Sequence, residues 1–530
     1  MVKLGSIKIS ILGSIPVATQ TKPVKKKKAL VFHPILIGLY PVLALLAYNI
    51  IQLDPIYAVR AIVVTLIISG IIFPLALLIT RERYKGGLLA SLALLLFLTY
   101  GHVYNLLENK SYFGHHRFLI IIWLALFGLG AYGIFHLKKK PRTLSTFLNF
   151  FSLVLIAIPL FQMVSFEIRQ ANASPRAVAN PAVDSVWQPQ SAAPANSPDV
   201  YYIILDAYTR SDLLKEEYGY DNSAFLQQLR NMGFYVANCS KSNYSYTPSS
   251  MSTALNMDYL DNFAGDIIKE NRSFYDLGET IKHNKVRSLF TDLGYRYVTF
   301  DNDIWWLDTT DSDQYISQYS SPWQKLLNFK ILGNFEKYYL RSTALRVIDE
   351  FTNSKANSLD KALLSTEKAH YDLINYNFDQ LEQLPQAESP KFVYAHFVAP
   401  HFPYVFAPDG SFEYTPSNAP GYVNEITYID QRVLEVLSNI LKTSKVPPII
   451  LLQSDHGLAE EVRNANLMAY YLPNGGEDAL YASITPVNSF RIVFNQYFGA
   501  DYPLLEDVAR SATYQAPYDF TIVDYPCVTE

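Results

Sequence analysis

The stretch "PDVYYIILDAYTR", residues 198–210, decides the fold of the second part of this 530-residue chain. Six consecutive apolar residues, 200–205, are followed directly by Asp206. A strand with one solvated face alternates apolar and polar residues, whereas an unbroken apolar run of this length is typical of a strand buried on both faces of a parallel sheet. A carboxylate directly after such a strand lies at the sheet edge where ligands bind in open α/β proteins.

The same kind of strand recurs along residues 200–530, separated by helical stretches. The further strands are "GYRYVTF" (294–300), "KFVYAHFVAP" (391–400) and "PPIILLQSD" (447–455), and the amphipathic helices are "SAFLQQLRNMGF" (223–234), "KALLSTEKAHYDLINYNFDQL" (361–381) and "YIDQRVLEVLSNILK" (428–442). Apolar strands alternating with helices predict a three-layer α/β domain with a mainly parallel sheet. A region of this length is ample for one domain with its own core.

Five long apolar runs precede that domain and predict a multi-pass α-helical membrane domain at residues 30–166. They are residues 30–53, 57–80, 87–107, 117–137 and 145–164. Each has about 20 residues, enough to cross a hydrocarbon core of about 30 Å. A signal peptide would give one shorter run and then stop.

Lysine and arginine residues predict the orientation of these helices. They concentrate in "TKPVKKKK" (21–28), "RERYKG" (81–86) and "KKKPR" (138–142), whereas "DPIYAVR" (54–60) and "ENKSYFGHHR" (108–117) carry fewer. Because positive loops stay in the cytoplasm, we expect a cytoplasmic segment at 1–29 and an extracytoplasmic domain at 200–530, in the plasma or inner membrane. Residues 167–199, rich in Ala, Pro, Ser and Asn, predict an extended linker.

Composition excludes several classes of function. The net charge of −4 gives no support for nucleic-acid binding. The sequence contains neither a P-loop nor a GxGxxG motif. Cys239 and Cys527 have no zinc-type spacing, and a disulfide and two free thiols both remain open.

Polar residues follow the ends of the predicted strands. Asp206 follows the first strand, Asp455 and His456 follow "IILLQS", and His401 follows "FVYAHFVAP". Asp206 alone fits a turn, but two strands that both end in Asp, one with His beside it, favour a metal site. Carboxylates with one imidazole suit a divalent cation. His396 lies inside its strand, where a structural role is favoured.

The hydroxyl-rich stretch "SNYSYTPSSMSTALNMDYL", residues 242–260, predicts a helix start that also carries chemistry. Pro248 suits the first helical position, which makes Thr247 the N-cap and puts Ser249 and Ser250 in the first turn. A helix N-terminus is a good site for phosphate or sulfate. A hydroxyl there that also binds a metal is a nucleophile near neutral pH. We therefore expect Thr247 to be both cap and nucleophile, with Ser249 and Ser250 as the alternatives.

Four motifs in order resemble the sulfatase-like branch of the alkaline phosphatase superfamily. They are "YYIILDAYTR", "NYSYTPSSMSTALNMDYL", "APHFPYVF" and "LLQSDHG". The membrane layout resembles lipoteichoic acid synthases and phosphoethanolamine transferases, which also carry five membrane helices and an extracytoplasmic catalytic domain. The resemblance implies four metal ligands, namely Asp206, Thr247, Asp455 and His456. It also implies that Thr247 is the nucleophile, and that His401 contacts the phosphoryl group or protonates the leaving group.

Departures from the family pattern narrow the reaction. The C/S-x-P-x-R signature of type I sulfatases is absent, which counts against sulfate ester hydrolysis. Asp430 is not followed by the His of the Asp-x-x-x-His motif found in two-metal phosphodiesterases, so we expect one divalent ion: Mn²⁺, Zn²⁺ or Mg²⁺, with Ca²⁺ less favoured. Arg210 is a candidate phosphate ligand or a surface cation. Trp305, beside Trp306, is a candidate for the substrate pocket or the bilayer interface, although two adjacent tryptophans are more often part of the core.

The function implied by the resemblance is a transferase of the cell envelope. It would move a phosphoglycerol- or phosphoethanolamine-type head group from a membrane lipid donor to a glycan or lipid acceptor, through a phospho-Thr247 intermediate. One alternative is an anchored phosphodiesterase or other hydrolase that uses water as the acceptor. Another is a membrane protein whose outer domain binds or scaffolds without catalysis.

Overall fold

Five helices occupy the positions of the predicted apolar runs in the described part of the chain. The computed structural model describes residues 29–50, 55–107, 115–138, 140–172, 180–189, 191–194, 196–270, 273–321, 324, 327–328, 333–347, 365–415, 417–524 and 527. The helices are His33–Tyr48 (α1), Val59–Thr80 (α2), Arg83–Leu107 (α3), His116–His136 (α4) and Pro141–Asn172 (α5). The predicted cytoplasmic segment lies outside the described residues except for residue 29, as do residues 51–54 and 108–114 of the predicted outer loops.

Four helical segments among the described residues are long and apolar enough to cross a membrane. They are Pro55–Thr80, Arg83–Leu107, His116–His136 and Pro141–Ile168. The remaining helix, α1, is apolar but has 16 residues, so a fifth span stays a prediction. Large apolar side chains such as Leu129 and Phe161 are exposed on the outside of α4 and α5, whereas α3 is the most enclosed helix. An apolar outer surface of this kind is suited to lipid.

The second part of the chain alternates strands and helices as expected. Its strands are Val200–Leu205 (β1), Tyr235–Val236 (β2), Arg296–Phe300 (β3), Gln314–Ile316 (β4), Lys391–Phe397 (β5), Tyr404–Phe406 (β6), Phe412–Thr415 (β7), Ile449–Gln453 (β8), Met468–Tyr471 (β9), Ala509–Ser511 (β10) and Thr521–Val523 (β11). Its helices are Pro181–Asp184 (α6), Ser211–Tyr218 (α7), Ser223–Asn231 (α8), Thr247–Asn256 (α9), Leu260–Phe263 (α10), Gly265–Lys269 (α11), Gly278–Lys282 (α12), Lys285–Asp292 (α13), Asn334–Ser342 (α14), Ser365–Gln383 (α15), Ala419–Thr443 (α16) and Pro486–Phe498 (α17). Short 3₁₀ turns lie at Pro55–Ala58, Phe274–Leu277, Ala344–Arg346, Leu384–Gln386, Glu460–Val462 and Gly476–Ala479.

The main sheet of the described residues has seven strands in the order β2-β9-β8-β1-β5-β3-β4. Strand β1 lies in the middle and pairs in parallel with β5 and β8, and the antiparallel pairs are confined to the β2–β9–β8 edge. Tyr201, Ile203 and Leu205 pack into one hydrophobic cluster with helices α8, α15 and α16. The alternate residues of β1 pack into a second cluster with α9, α13 and α17. The unbroken apolar run of β1 therefore contributes side chains to a hydrophobic core on each face of the sheet. The predicted three-layer, mainly parallel α/β fold is confirmed.

The described part of the predicted linker differs from an extended chain. Residues 180–189 include the short helix α6, and Val183 is completely buried in the second cluster. The ring of Trp187 packs against Phe494 of α17, and the Ala193 N–H donates to the Leu293 carbonyl at 2.9 Å. Burial of the Val183 and Trp187 side chains stabilises the contact of this segment with the domain. The Pro- and Ser-rich composition of the segment did not predict that contact. The segment therefore covers the domain surface.

The two cysteines are joined in a disulfide between Cys239 and Cys527. The sequence left this pairing open. The bond fixes a distant segment of the chain onto the loop that precedes α9, and such bonds persist in oxidising compartments.

Helix α14 docks the α/β domain on the membrane domain. Phe335 and Tyr339 are buried against side chains of α1, α2 and α3, and the Tyr339 hydroxyl lies 2.7 Å from Thr65 Oγ1. Glu336 forms an ion pair with Arg60, the last residue of the predicted first outer loop. Ion pairing between Lys337 and Glu367 continues this contact into α15. The composition of residues 301–360 gave no signal for such a helix.

Substitution at Gly101 of α3 tests this docking. A Cβ at Gly101 would lie 2.6 Å from the backbone carbon of Ser342, so Gly101→Val forces α14 away from α3. We expect Gly101→Val to lower the free energy of unfolding by about 1–3 kcal/mol, as overpacking does. The measurement is thermal unfolding of the detergent-solubilised chain.

Gly133→Val is the matched control, because it places the same side chain in another apolar helix where a Cβ meets nothing within 4 Å. Equal unfolding temperatures for Gly101→Val and Gly133→Val would contradict the docking contact.

Candidate active site

Thr247 is the first residue of α9, and its side chain does not cap the helix. The N-cap is Tyr246, no side-chain cap hydrogen bond forms, and Pro248 lies within the first two helical positions. The prediction that Thr247 is the N-cap is therefore wrong by one residue. Instead, Thr247 Oγ1 lies 3.2 Å from His456 Nε2. The hydroxyl points across the helix start towards the residues that follow β8, so its capping capacity is not used.

The two alternative hydroxyls are engaged elsewhere. Ser249 Oγ donates to the Tyr246 carbonyl at 2.9 Å, and Ser250 Oγ donates to the Asp455 carbonyl at 2.7 Å. Both side chains are buried, whereas Thr247 is partly exposed. Ser250 ties the start of α9 to the end of β8, and Thr247 is the hydroxyl of the three that faces an imidazole.

Sheet register places Asp206 and Asp455 side by side. Ile204 of β1 pairs with Gln453 of β8, so both aspartates lie two residues further along adjacent parallel strands. Asp455 Oδ1 accepts the N–H groups of Ala207 at 3.1 Å and His456 at 2.9 Å. Both aspartates are buried, with 3% or less of their surface exposed.

Each of these aspartates keeps one buried oxygen without a hydrogen-bond partner among the described residues, Asp206 Oδ1 and Asp455 Oδ2. Such oxygens are costly to bury unless a cation or a donor meets them. His456 Nε2 lies 3.9 Å from the first oxygen and 3.4 Å from the second. The arrangement fits a cation site.

His396 joins this cluster, although sequence reasoning favoured a structural role for it. One ligand atom each from Asp206, His396 and Asp455 lie within 4.8 Å of one another, and this group could hold a metal ion. His396 Nε2 is 3.3 Å from Asp206 Oδ2, because β5 pairs in parallel with β1 and sets His396 level with Ile204. A histidine inside an otherwise apolar strand beside β1 was the available signal.

Electrostatics keep the first aspartate ionised. Burial alone would raise the pKa of the Asp206 carboxyl, but neighbouring imidazoles outweigh burial and hold that pKa well below its usual range. Those imidazoles belong to His401, His396 and His456.

His456 presents a neutral imidazole. Burial lowers its pKa, while the charge of Asp455 opposes the shift. Its Nδ1 lies 2.8 Å from the Gly457 carbonyl and donates to it in the neutral tautomer, which leaves the Nε2 lone pair facing Thr247. A neutral ring held in this way can bind a metal ion or accept a proton.

His401 lies at the rim of the cluster. Its Nδ1 donates to the Phe402 carbonyl at 2.7 Å, and its ring is close enough to affect the pKa of Asp206 and of His370. His370 was missed by sequence reasoning, since it lies on the regular amphipathic helix α15. Its Nε2 is buried with no hydrogen-bond partner among the described residues, and burial lowers its pKa to about 4.

The two weaker candidates make contacts of other kinds. Arg210 is no surface cation: it is 2% exposed, pairs in bidentate fashion with Asp212 at 2.8 Å and donates to the Ser240 carbonyl at 3.1 Å. Its guanidinium is thus engaged in holding two segments together. Trp305 is partly buried against the second hydrophobic cluster with Lys282 over its ring, and Trp306 is buried there. These contacts favour the core for both tryptophans.

Comparison with known proteins gives a family and several distant structural likenesses. No curated protein matches the sequence. The integral membrane lipooligosaccharide phosphoethanolamine transferase A (EptA) from Neisseria meningitidis is 12% identical, with 88% of this chain and 95% of that chain covered at a TM-score of 0.36. The periplasmic domain of EptC from Escherichia coli, in complex with Zn, is 10% identical, with 62% and 92% covered at 0.39. The lipoteichoic acid synthase LtaP from Listeria monocytogenes is 12% identical, with 57% and 72% covered at 0.32.

The family assignment rests on a family model, since all three TM-scores are below 0.5. The model for the family described as sulfatase matches residues 198–493, from just before β1 to the middle of α17. The match includes every residue of the cluster around Asp206 and Asp455. Because it covers more than half of the sequence, this chain belongs to the sulfatase family.

Proposed function

We propose that this sulfatase-family protein is a membrane-anchored phosphotransferase. It moves a phosphoglycerol- or phosphoethanolamine-type head group from a lipid donor to a glycan or lipid acceptor of the cell envelope, through a phospho-Thr247 intermediate. The observation that carries the proposal is the placement of the Thr247 hydroxyl, 3.2 Å from His456 Nε2 at a helix N-terminus beside two buried aspartates. The N–H groups and dipole of that helix end favour a bound phosphoryl group.

Residues of the cluster fit a single divalent ion. Asp206, Asp455, His456 and Thr247 are the proposed ligands, and His396 is a further candidate that the geometry adds. An ion held there would neutralise phosphoryl charge and lower the pKa of the Thr247 hydroxyl. Mn²⁺, Zn²⁺ and Mg²⁺ suit carboxylate oxygens combined with imidazole nitrogen, and Ca²⁺ less so.

The chain's own residues supply the remaining chemistry. Thr247 Oγ1 attacks phosphorus, and the bond between phosphorus and the lipid alcohol breaks. His401, partly exposed at the rim, donates a proton to the departing alkoxide. An acceptor hydroxyl then gives its proton to His401 and attacks the phospho-threonine, which breaks the bond between phosphorus and Oγ1 and releases Thr247 as the alkoxide that began the cycle. Positioning and charge neutralisation account for most of the rate in transfers of this kind.

A lipid donor is supported by a contact between the membrane domain and the sheet edge that carries the cluster. The Tyr57 hydroxyl, between α1 and α2, donates to Asp303 at 3.4 Å. Asp303 follows the carboxyl end of β3, which pairs in parallel with β5, the strand that carries His396. Positive loops and the disulfide both favour an extracytoplasmic location.

Mass spectrometry of the full chain purified from its membrane tests the proposed intermediate. We expect a phosphorus-bearing adduct on Thr247, because the hydroxyl is the attacking atom, and its mass identifies the donor head group. Thr247→Ala should remove the adduct and lower transfer by at least about 1,000-fold, as loss of a covalent nucleophile does.

Ser249→Ala serves as the matched control, since the Ser249 hydroxyl is already bonded to a carbonyl. An adduct that persists in Thr247→Ala would overturn the assignment. Incubation with labelled phosphatidylglycerol and phosphatidylethanolamine vesicles separates the alternative functions. Label that is released to water identifies a hydrolase. If neither an adduct nor turnover is detected, the result favours a binding or scaffolding protein.

Metal content of the purified chain tests the proposed ligands. We expect about one divalent ion per chain, and Asp455→Asn should abolish it because the unpaired Oδ2 loses its charge. His396→Gln should weaken ion binding by about 10- to 100-fold, as a ligand or as the partner that orients Asp206.

Asp478→Asn, at an exposed carboxylate, is the control and should retain the ion. Unchanged metal content in Asp455→Asn would exclude this cluster as the metal site.

A further inference from the structure

Arg463 places a guanidinium beside the segment that carries Thr247. Its Cζ lies 4.4 Å from the centroid of the Tyr246 ring, and Tyr246 directly precedes Thr247. Arg463 comes from the loop between β8 and β9, which also contains Asp455 and His456. The sequence gave no reason to select it, because it lies in neither a strand end nor a recognised motif.

The backbone holds Arg463 in this position. The Gly457 N–H donates to the Arg463 carbonyl at 2.6 Å, which closes the loop onto the residue after His456. A Cβ at Gly457 would lie 2.7 Å from the Ala465 carbonyl oxygen, so the turn leaves no room for a side chain. The loop is therefore compact, and the start of the Arg463 side chain is fixed relative to the metal-ligand candidates.

The charge of Arg463 lacks compensation within the described part of the chain. Its Nε is buried without a hydrogen-bond partner there, and no carboxylate of that part forms an ion pair with it. Other arginines of the domain differ: Arg210 pairs with Asp212, and Arg432 pairs with Asp379 and Glu382. A guanidinium carries five N–H donors, and leaving the buried Nε–H unmet is unfavourable.

The loop of Arg463 meets the start of α9 at the position of Thr247. His456 directly precedes Gly457, whose N–H closes the turn onto Arg463, and His456 Nε2 lies 3.2 Å from Thr247 Oγ1. Arg463 itself contacts the ring of Tyr246, the residue before Thr247. The guanidinium therefore approaches the same helix start as the imidazole, close to the position of a group that reacts with Thr247.

We propose that Arg463 binds the anionic oxygens of the phosphorus-bearing group while Thr247 attacks it. The inference rests on the proposed function for the identity of that group and names its binding residue. A planar guanidinium matches two phosphoryl oxygens at once, which a lysine ammonium does not. The chemistry selected is an anionic tetrahedral group, as in phosphate monoesters and diesters, whereas an uncharged ester gains nothing from this contact.

Binding and adduct formation by the full chain in detergent test the inference. We expect Arg463→Met to bind inorganic phosphate and glycerol phosphate about 10- to 100-fold more weakly than the wild type, the loss expected for a hydrogen bond to a charged group. Adduct formation on Thr247 from labelled phosphatidylglycerol vesicles should slow at least as much. Arg463→Lys keeps the charge and should recover part of the binding but little of the rate, because the two-point contact is lost.

Arg230→Met is the matched control, since Arg230 is exposed and its side chain bonds to Asn238. Thermal unfolding of each variant shows that the fold is retained. Weaker binding of phosphate with an unchanged adduct rate from vesicles indicates a site for the free anion and overturns the proposed role with the lipid donor. Unchanged binding and an unchanged adduct rate in Arg463→Met overturn the inference altogether.

These results separate the inference from the proposed function. A wild-type chain that forms an adduct, together with an Arg463→Met variant that behaves identically, leaves the function standing and removes Arg463 from it. A wild-type chain that binds phosphate through Arg463 but forms no adduct keeps the binding site and removes the transfer reaction.

Discussion

Parallel pairing of β1 with β5 and β8 is the constraint on which the rest of the site depends. The strand register places Asp206 beside Asp455, because each lies two residues beyond a paired residue of its strand. It also places His396 level with the residue two positions before Asp206, on the same face of the sheet. A slip of one residue in either pairing would turn the corresponding side chain to the opposite face. Such a slip is opposed by the burial of β1 on both faces, because every apolar side chain of the strand would have to exchange cores.

Helix α9 depends on this sheet in turn. Ser250 ties the first turn of the helix to the end of β8, and the Thr247 hydroxyl is thereby directed at His456. The start of the helix therefore belongs to the site through contacts with the residues that follow β8. Arg463 approaches from the other end of the same loop. The Thr247 hydroxyl, the His456 imidazole and the Arg463 guanidinium thus come from two short segments that meet at one edge of the sheet.

Much of this arrangement was accessible from the sequence, and the exceptions have physical reasons. Unbroken apolar strands and the polar residues at their ends predicted the sheet and the meeting of Asp206 with Asp455. His396 could not be separated from a core histidine without strand register, and His370 could not be recognised on a helix whose periodicity is ordinary. The N-cap prediction for Thr247 followed a local preference that contacts with His456 override. Helix α14 was not predicted, because its apolar side chains pack against membrane helices that are distant in sequence.

The disulfide has a consequence for biosynthesis. Its two sulfur atoms belong to residues separated by 288 positions, so most of the α/β domain must be synthesised before the second thiol can meet the first. Until then the segment leading into α9 is held by non-covalent contacts alone. A nascent chain interrupted before residue 527 therefore lacks this covalent brace altogether, and its α9 segment depends entirely on the folding of the sheet behind it.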